Sequence, residues 1–173
     1  MDPTVDEGKH DVIIVGSGAE GATLARELSS RGYDILVVEQ GPFRTHLGSF
    51  GLVRKYFDVA GIARLPRTSE EGVLLWRSLC AGGSTVVACG NAVRSLESPL
   101  SSLGIDLSRE FAECEREIGV RNFPDELLSL TTRKMRDTAQ DTGWNFEPMP
   151  KSIDFEKCRK CGNCTYGCVY GAK

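Results

Sequence analysis

The strongest constraint on the fold is the glycine-rich turn G-S-G-A-E-G at residues 16–21, because of the segments that flank it. An apolar run at 12–15 precedes the turn, an unbroken helical pattern at 22–28 follows it, and a second apolar run occupies 35–38. A strand, a glycine turn, a helix and a second strand form a βαβ unit of the type that binds dinucleotides. The sequence therefore predicts an α/β protein with a Rossmann-type fold.

The three glycines of this turn have separate roles in a dinucleotide site. Gly16 permits the tight turn, Gly18 lets the backbone approach a pyrophosphate, and Gly21 allows the helix to pack closely on the strand. The free N–H groups at the start of the helix face the phosphates. We therefore predict that these glycines and Ser17 contact the cofactor; an ordinary βαβ turn without a ligand is the alternative.

An acidic residue, Glu39, ends the second apolar run. A carboxylate in this position accepts hydrogen bonds from the hydroxyls of an adenosine ribose and repels a 2′-phosphate, so NADP is disfavoured. FAD and NAD both remain compatible with the motif. We include Glu39 and its neighbour Gln40 in the predicted site.

The overall composition excludes several classes of partner. The net charge of −3 gives no electrostatic reason to expect binding to nucleic acid or to an anionic membrane. No apolar run approaches the ~20 residues of a membrane helix, and the polar N-terminus is unlike a secretory signal. Seven cysteines, four of them close to the end, fit a reducing compartment, so the expected location is cytoplasmic.

We predict three regions along the chain: a flexible N-terminus at 1–10, a dinucleotide-binding domain at 11–150 with helical and loop insertions, and a Cys-rich C-terminal turn at 151–173. Within the domain, apolar spacing predicts a short helix in 52–63, and Pro99 begins a segment that we predict to be a loop up to Leu107. One further helix is expected to start at Ser108, and another is expected to end before Gly143.

A second glycine motif, L-C-A-G-G-S-T-V-V-A-C-G-N at 79–91, consists mostly of small residues, as expected where backbone lies against a flat ligand. Together with the first motif and V-V-E at 37–39, it resembles the glucose–methanol–choline (GMC) flavoprotein oxidoreductases. The resemblance implies an incomplete Rossmann-type FAD-binding fold whose first motif binds the ADP part of FAD. The residues that it places along the pyrophosphate and flavin are Gly82, Gly83, Ser84 and Thr85.

Two differences from the family pattern affect the predicted function. Many GMC members have an Asn directly after this segment, where this chain has Ala88. We therefore assign the flavin-facing contact to the nearest Asn, Asn91; absence of this contact is the alternative. The family's catalytic His lies far downstream, whereas this chain has only His10 and His46, which we expect to be solvated. We therefore predict no catalytic residue in this chain.

The resemblance implies oxidation of a small-molecule alcohol by hydride transfer to flavin. Because the catalytic half is absent from this sequence, we expect a fragment or one chain of a split enzyme, with a second chain that carries the substrate domain. A truncated, inactive FAD-binding fragment is an alternative.

The cysteines near the end support another hypothesis. Cys158, Cys161, Cys164 and Cys168 have the spacing C-x2-C-x2-C-x3-C, which is that of a ferredoxin ligand run for a four-iron four-sulfur cluster. Such a cluster would make the chain a flavin and iron–sulfur electron-transfer subunit. Zinc and a tight turn of reduced thiols are the alternatives.

The segment 161–173 also resembles the C-G-x-C-x-x-G-C-x-x-G-A-K sequence of the cholesterol-oxidase-like and long-chain-alcohol-oxidase-like GMC branches, which favours the turn. Basic residues in 157–160 are expected to lower the pKa of the neighbouring thiols.

Overall fold

The computed structural model describes residues 8–43, 48–60 and 65–173. The chain forms two compact units, Met1–Ala88 with Thr165–Gly167, and Cys89–Cys164 with Cys168–Lys173. The predicted boundaries at residues 10 and 150 stay predictions. His46 lies outside the described residues.

The first unit begins with the βαβ element that the glycine turn predicted. Strand β1 (Val12–Val15), helix α1 (Ala19–Ser29) and strand β2 (Ile35–Val38) follow one another, and the two strands pair in parallel with Val12 opposite Ile35. The prediction of this element is confirmed, and it gives the unit a Rossmann-like α/β character.

The two faces of this parallel pair differ in exposure. Ile14 is buried, and its side chain lies close to Gly21 of α1. On the opposite face, Ile13 and Val15 are 62% and 85% exposed. Parallel sheets are normally covered on both faces, so one apolar face of this sheet is left uncovered by the described residues.

The remainder of the first unit contains helix α2 (Phe50–Val53) and a small antiparallel sheet in the order β3 (Val59–Ala60), β4 (Leu65–Thr68), β5 (Leu74–Leu75). The helix predicted for 52–63 is therefore wrong over 54–60, and 61–63 lie outside the described residues. Pairing of Ala60 with Leu65 of β4 replaces local helical hydrogen bonds with strand hydrogen bonds.

The core of the first unit brings together the segments on either side of this sheet. Its buried residues are Tyr56, Phe57, Cys80 and Val87. The backbone after β2 approaches the same region so closely that a Cβ atom added to Gly41 would lie 2.2 Å from the Cys80 nitrogen. Only glycine fits at this contact, which fixes the end of β2 against the second glycine motif.

The second unit contains helices α3 (Glu97–Ser102), α4 (Ser108–Glu117) and α5 (Leu130–Asp141), and an antiparallel pair formed by β6 (Val120–Asn122) and β7 (Pro150–Ser152). The helix starting at Ser108 and the helix ending before Gly143 are confirmed. No helix in the described part of the chain is long and apolar enough to span a membrane.

The loop predicted for 99–107 is wrong in its first part, where α3 forms. Pro99, the first residue of the predicted loop, lies in the first turn of α3. A backbone N–H at that position has no intrahelical partner, so proline is tolerated there. Leu96 precedes the helix with φ of 63°, a left-handed conformation that is uncommon for leucine.

The close approach at Gly41 leads to a stability prediction. Gly41→Ala should lower the free energy of unfolding by about 3 kcal/mol, because the new methyl group overlaps the Cys80 backbone. The matched control is Gly51→Ala in α2, where a Cβ would meet no atom within 4 Å and the protein should gain up to about 1 kcal/mol. Urea unfolding measures both changes. If the Gly41→Ala and Gly51→Ala variants were equally stable, the close approach at Gly41 would be contradicted.

Candidate functional site

The glycine turn between β1 and α1 is shaped by two backbone requirements. Gly16 has φ of 91°, and its N–H donates to the Val38 carbonyl at 2.7 Å. A Cβ atom on Gly21 would lie 2.0 Å from the Gly16 carbonyl oxygen, so the helix can approach the turn only with glycine there. The predicted roles of these two glycines agree with the geometry.

The start of α1 is suited to binding an anion. The Ncap residue, Gly18, has no side chain that could cap the helix. The first intrahelical bond runs from the Ala22 N–H to the Gly18 carbonyl at 2.9 Å. The preceding N–H groups therefore have no intrahelical partner, and the positive end of the helix dipole lies there. A Cβ on Gly18 would meet no atom within 4 Å, so the backbone is accessible to a phosphate.

The Glu39 carboxylate is held by hydrogen bonds from both sides. Its Oε2 accepts from the backbone N–H of Ser17 at 2.8 Å and from the Ser17 hydroxyl at 2.7 Å, and its Oε1 accepts from the Gly41 N–H at 2.7 Å. The Ser17 hydroxyl, then the N–H groups of Gly41 and Ser17, lower the pKa of Glu39 below its ordinary value. The N–H of Gln40 acts in the same direction. Glu39 is thus an ionised, pre-positioned acceptor at neutral pH.

The second glycine motif lies directly against the first. Gly82 and Gly83 have φ of 87° and 58° and open a short 3-10 helix, Gly83–Val86. The Gly82 N–H donates to the Ser17 hydroxyl at 2.9 Å, and a Cβ on Gly83 would lie 3.1 Å from the Gly18 Cα. The two motifs that the sequence identified separately therefore form one surface of backbone and small side chains.

The side-chain hydroxyls of this second turn form hydrogen bonds with nearby backbone groups. The Thr85 hydroxyl donates to the Gly82 carbonyl at 2.5 Å, and the Ser84 hydroxyl accepts from the Ser78 N–H at 3.2 Å. Ser78 was not predicted as part of the site, yet it is buried and donates to the Gly83 carbonyl at 2.7 Å. Its position next to the motif was the only signal in the sequence.

Asn91 belongs to the second unit, where it is exposed. It forms a β-bridge with Lys151, and its side-chain carbonyl accepts a hydrogen bond from the Lys151 ammonium. The flavin contact assigned to Asn91 stays a prediction.

His10 lies before β1, and its Nδ1 is 3.0 Å from an Asp34 carboxylate oxygen. The expectation that His10 has no catalytic role stays a prediction.

The cysteine segment does not form a metal centre in the described structure. In residues 8–43, 48–60 and 65–173, no three or more His, Cys, Asp or Glu side chains are grouped so that they could hold a metal ion. The iron–sulfur and zinc assignments of Cys158, Cys161, Cys164 and Cys168 therefore rest on their spacing alone and stay predictions.

The effect predicted for basic residues in 157–160 is wrong for Cys164. Burial raises the pKa of the Cys164 thiol, and the nearby Cys158 thiol raises it further. Lys157 forms an ion pair with Asp154 at 2.9 Å. Lys157 is therefore paired with a carboxylate, and the Lys173 ammonium, which acts to lower the pKa of Cys164, does not outweigh the effect of burial.

Residues 11–149 match the sequence profile of the FAD dependent oxidoreductase family, so the chain belongs to that family. Its cofactor is FAD. The open backbone over Gly18, the uncapped start of α1 and the ionised acceptor at Glu39 fit the pyrophosphate and ribose groups of such a dinucleotide.

Several relatives are named as GMC-type oxidoreductases or long-chain-alcohol oxidases, which confirms the GMC resemblance. An uncharacterized GMC-type oxidoreductase of Mycobacterium tuberculosis is 30% identical over 94% of this chain, which covers 28% of that protein. A long-chain-alcohol oxidase of Arabidopsis thaliana is 28% identical over 95% of this chain, which covers 23% of it. An uncharacterized protein of Methanocaldococcus jannaschii is 30% identical over 90% of this chain, which covers 33% of it. The chain thus spans about a quarter to a third of the length of these relatives.

The hydrogen bonds to Glu39 lead to a pH prediction. Glu39→Gln should be less stable than wild type at pH 7, and the difference should disappear in acid. A carboxyl with a lowered folded pKa contributes stability above its unfolded pKa of ~4.3 and loses it as the pH falls through the folded value.

Urea unfolding between pH 3 and pH 7 tests this expectation, with the exposed Glu70→Gln as the control that should leave the profile unchanged. A stability difference as large at pH 3 as at pH 7 would contradict the role of the Glu39 charge.

Thiol reactivity follows from the environment of the cysteines. With iodoacetamide at pH 7, the exposed Cys161 should be alkylated faster than Cys164, which should react slowly because burial raises its pKa. Peptide mass spectrometry measures both rates, and unfolding in urea should make them similar. Equal rates in the folded chain would contradict the burial of Cys164.

Proposed function

We propose that this chain is the FAD-binding part of an oxidoreductase that oxidises an alcohol at its CH–OH group. The observation that carries the proposal is the similarity, over 94% and 95% of the chain, to proteins named GMC-type oxidoreductase and long-chain-alcohol oxidase. FAD, when bound, supplies the hydride acceptor, and the protein supplies binding, orientation and electrostatics.

The binding roles divide between the two glycine motifs. In this proposal the pyrophosphate lies at the start of α1, over Gly18, where unpaired N–H groups and the helix dipole favour negative charge. Glu39 accepts hydrogen bonds from the adenosine ribose and disfavours a 2′-phosphate. The turn at 82–85 lies along the pyrophosphate and the flavin, where its glycines let the cofactor approach the backbone.

We further propose that the catalytic base and the substrate-binding part come from another segment or a second chain. The first support is that the chain covers only 28% of the mycobacterial relative. The second is the uncovered apolar face of the parallel sheet, where Ile13 and Val15 are exposed, because such a face is normally packed against further structure.

The cofactor half of the proposal is tested by titrating the 173-residue chain with FAD and following the quenching of flavin fluorescence. We expect one FAD per chain and no reduction of the flavin by alcohol. Iron and sulfide assays on the same sample test the electron-transfer alternative.

The alcohol half is tested by co-expression with a polypeptide equivalent to the remaining part of the mycobacterial relative. Anaerobic addition of primary aliphatic alcohols should then bleach the flavin absorption, whereas matched alkanes should not. Absence of FAD binding would refute the whole proposal. If the co-expressed protein binds FAD but no alcohol reduces it, the alcohol half alone is refuted.

A further inference from the structure

We propose that Ser17 is a positioning residue that joins the two glycine motifs, so that the ribose acceptor Glu39 and the turn at Gly82 are held in place together. The inference deepens the proposed function and rests on its assignment of Glu39 to the ribose. The prediction from the motif was that Ser17 contacts the cofactor; in the structure its hydroxyl is engaged by the protein itself.

The Ser17 hydroxyl is both a hydrogen-bond donor and a hydrogen-bond acceptor. The hydroxyl donates its proton to Glu39 Oε2 at 2.7 Å and accepts the Gly82 N–H at 2.9 Å. The Ser17 backbone N–H donates to the same carboxylate oxygen at 2.8 Å. A single partly buried side chain therefore connects the start of α1, the end of β2 and the second glycine turn.

Neither connection is replaced when the hydroxyl is removed. Glu39 would lose the contact that contributes most to lowering its pKa, although the backbone N–H groups of Ser17 and Gly41 would remain. The Gly82 N–H would lose its acceptor, and an unpaired N–H in a partly buried turn is unfavourable. Because Gly83 packs on Gly18 beside this bond, a shift of the turn would also alter the surface over the pyrophosphate.

The test compares Ser17→Ala with Ser69→Ala as a matched control. Ser69 donates to the Glu71 carboxylate at the same distance, 2.7 Å, and lowers the pKa of Glu71. It lies in the turn after β4, and its hydroxyl also accepts from the Val73 N–H, so its hydrogen bonds are local to that turn. Both variants thus remove one serine–glutamate hydrogen bond from the same unit.

We expect Ser17→Ala to weaken FAD binding by about 10- to 100-fold at pH 7.5, the loss typical of a hydrogen bond to a charged group together with an unpaired N–H. Ser69→Ala should bind FAD as wild type does. The pH below which affinity falls should also move upward in Ser17→Ala, since the pKa of Glu39 returns toward its ordinary value. A residue with only a structural role would not move that pH.

A double-mutant cycle with Glu39→Gln separates positioning from general destabilisation. If Ser17 acts through Glu39, the two substitutions should be non-additive both in FAD affinity and in the free energy of urea unfolding. Unchanged affinity in Ser17→Ala, or additive losses with no shift of the pH profile, would overturn the inference. If the wild-type chain binds no FAD, the proposed function fails. The role of Ser17 is then still decided by whether the two substitutions are additive in the free energy of urea unfolding.

Discussion

The Glu39 carboxylate is the contact on which the arrangement of the first unit depends. It lies at the end of β2 and accepts hydrogen bonds from Ser17 at the start of the glycine turn and from Gly41 just beyond the strand. Through the Ser17 hydroxyl the same network reaches Gly82. One ionised group thereby fixes three segments that are distant in sequence and supplies the acceptor that a ribose requires.

Glycine allows the backbones in this region to come close enough for that network to form. A side chain at Gly21 would overlap the Gly16 carbonyl, and a side chain at Gly41 would overlap Cys80. The first contact belongs to the dinucleotide motif and the second does not. The site is therefore built on a second close approach, which joins the backbone after β2 to Cys80 of the second glycine motif.

In the cysteine segment, the spacing of the cysteines in the sequence does not by itself establish how their thiols are arranged in space. The pattern of Cys158, Cys161, Cys164 and Cys168 matches that of a cluster ligand run, but ligation also requires the thiols to converge. In the described part of the chain no such group is formed, and Cys164 is a partly buried thiol with a raised pKa. Its chemistry follows from desolvation rather than from the basic residues that precede it in sequence.

The sequence by itself determined the βαβ element and its glycine turn, since the period of apolar residues and the conformational freedom of Gly16 act over a few neighbouring positions. It also identified Glu39, from its position at the end of the second apolar run, and the turn at 82–85, through its resemblance to a family. Only the tertiary structure decided that the helix predicted for 52–63 ends at Val53 and that Ser17 joins Glu39 to Gly82. The physical reason is that strand pairing and hydrogen bonds between distant residues depend on chain closure and packing, which a local pattern does not contain.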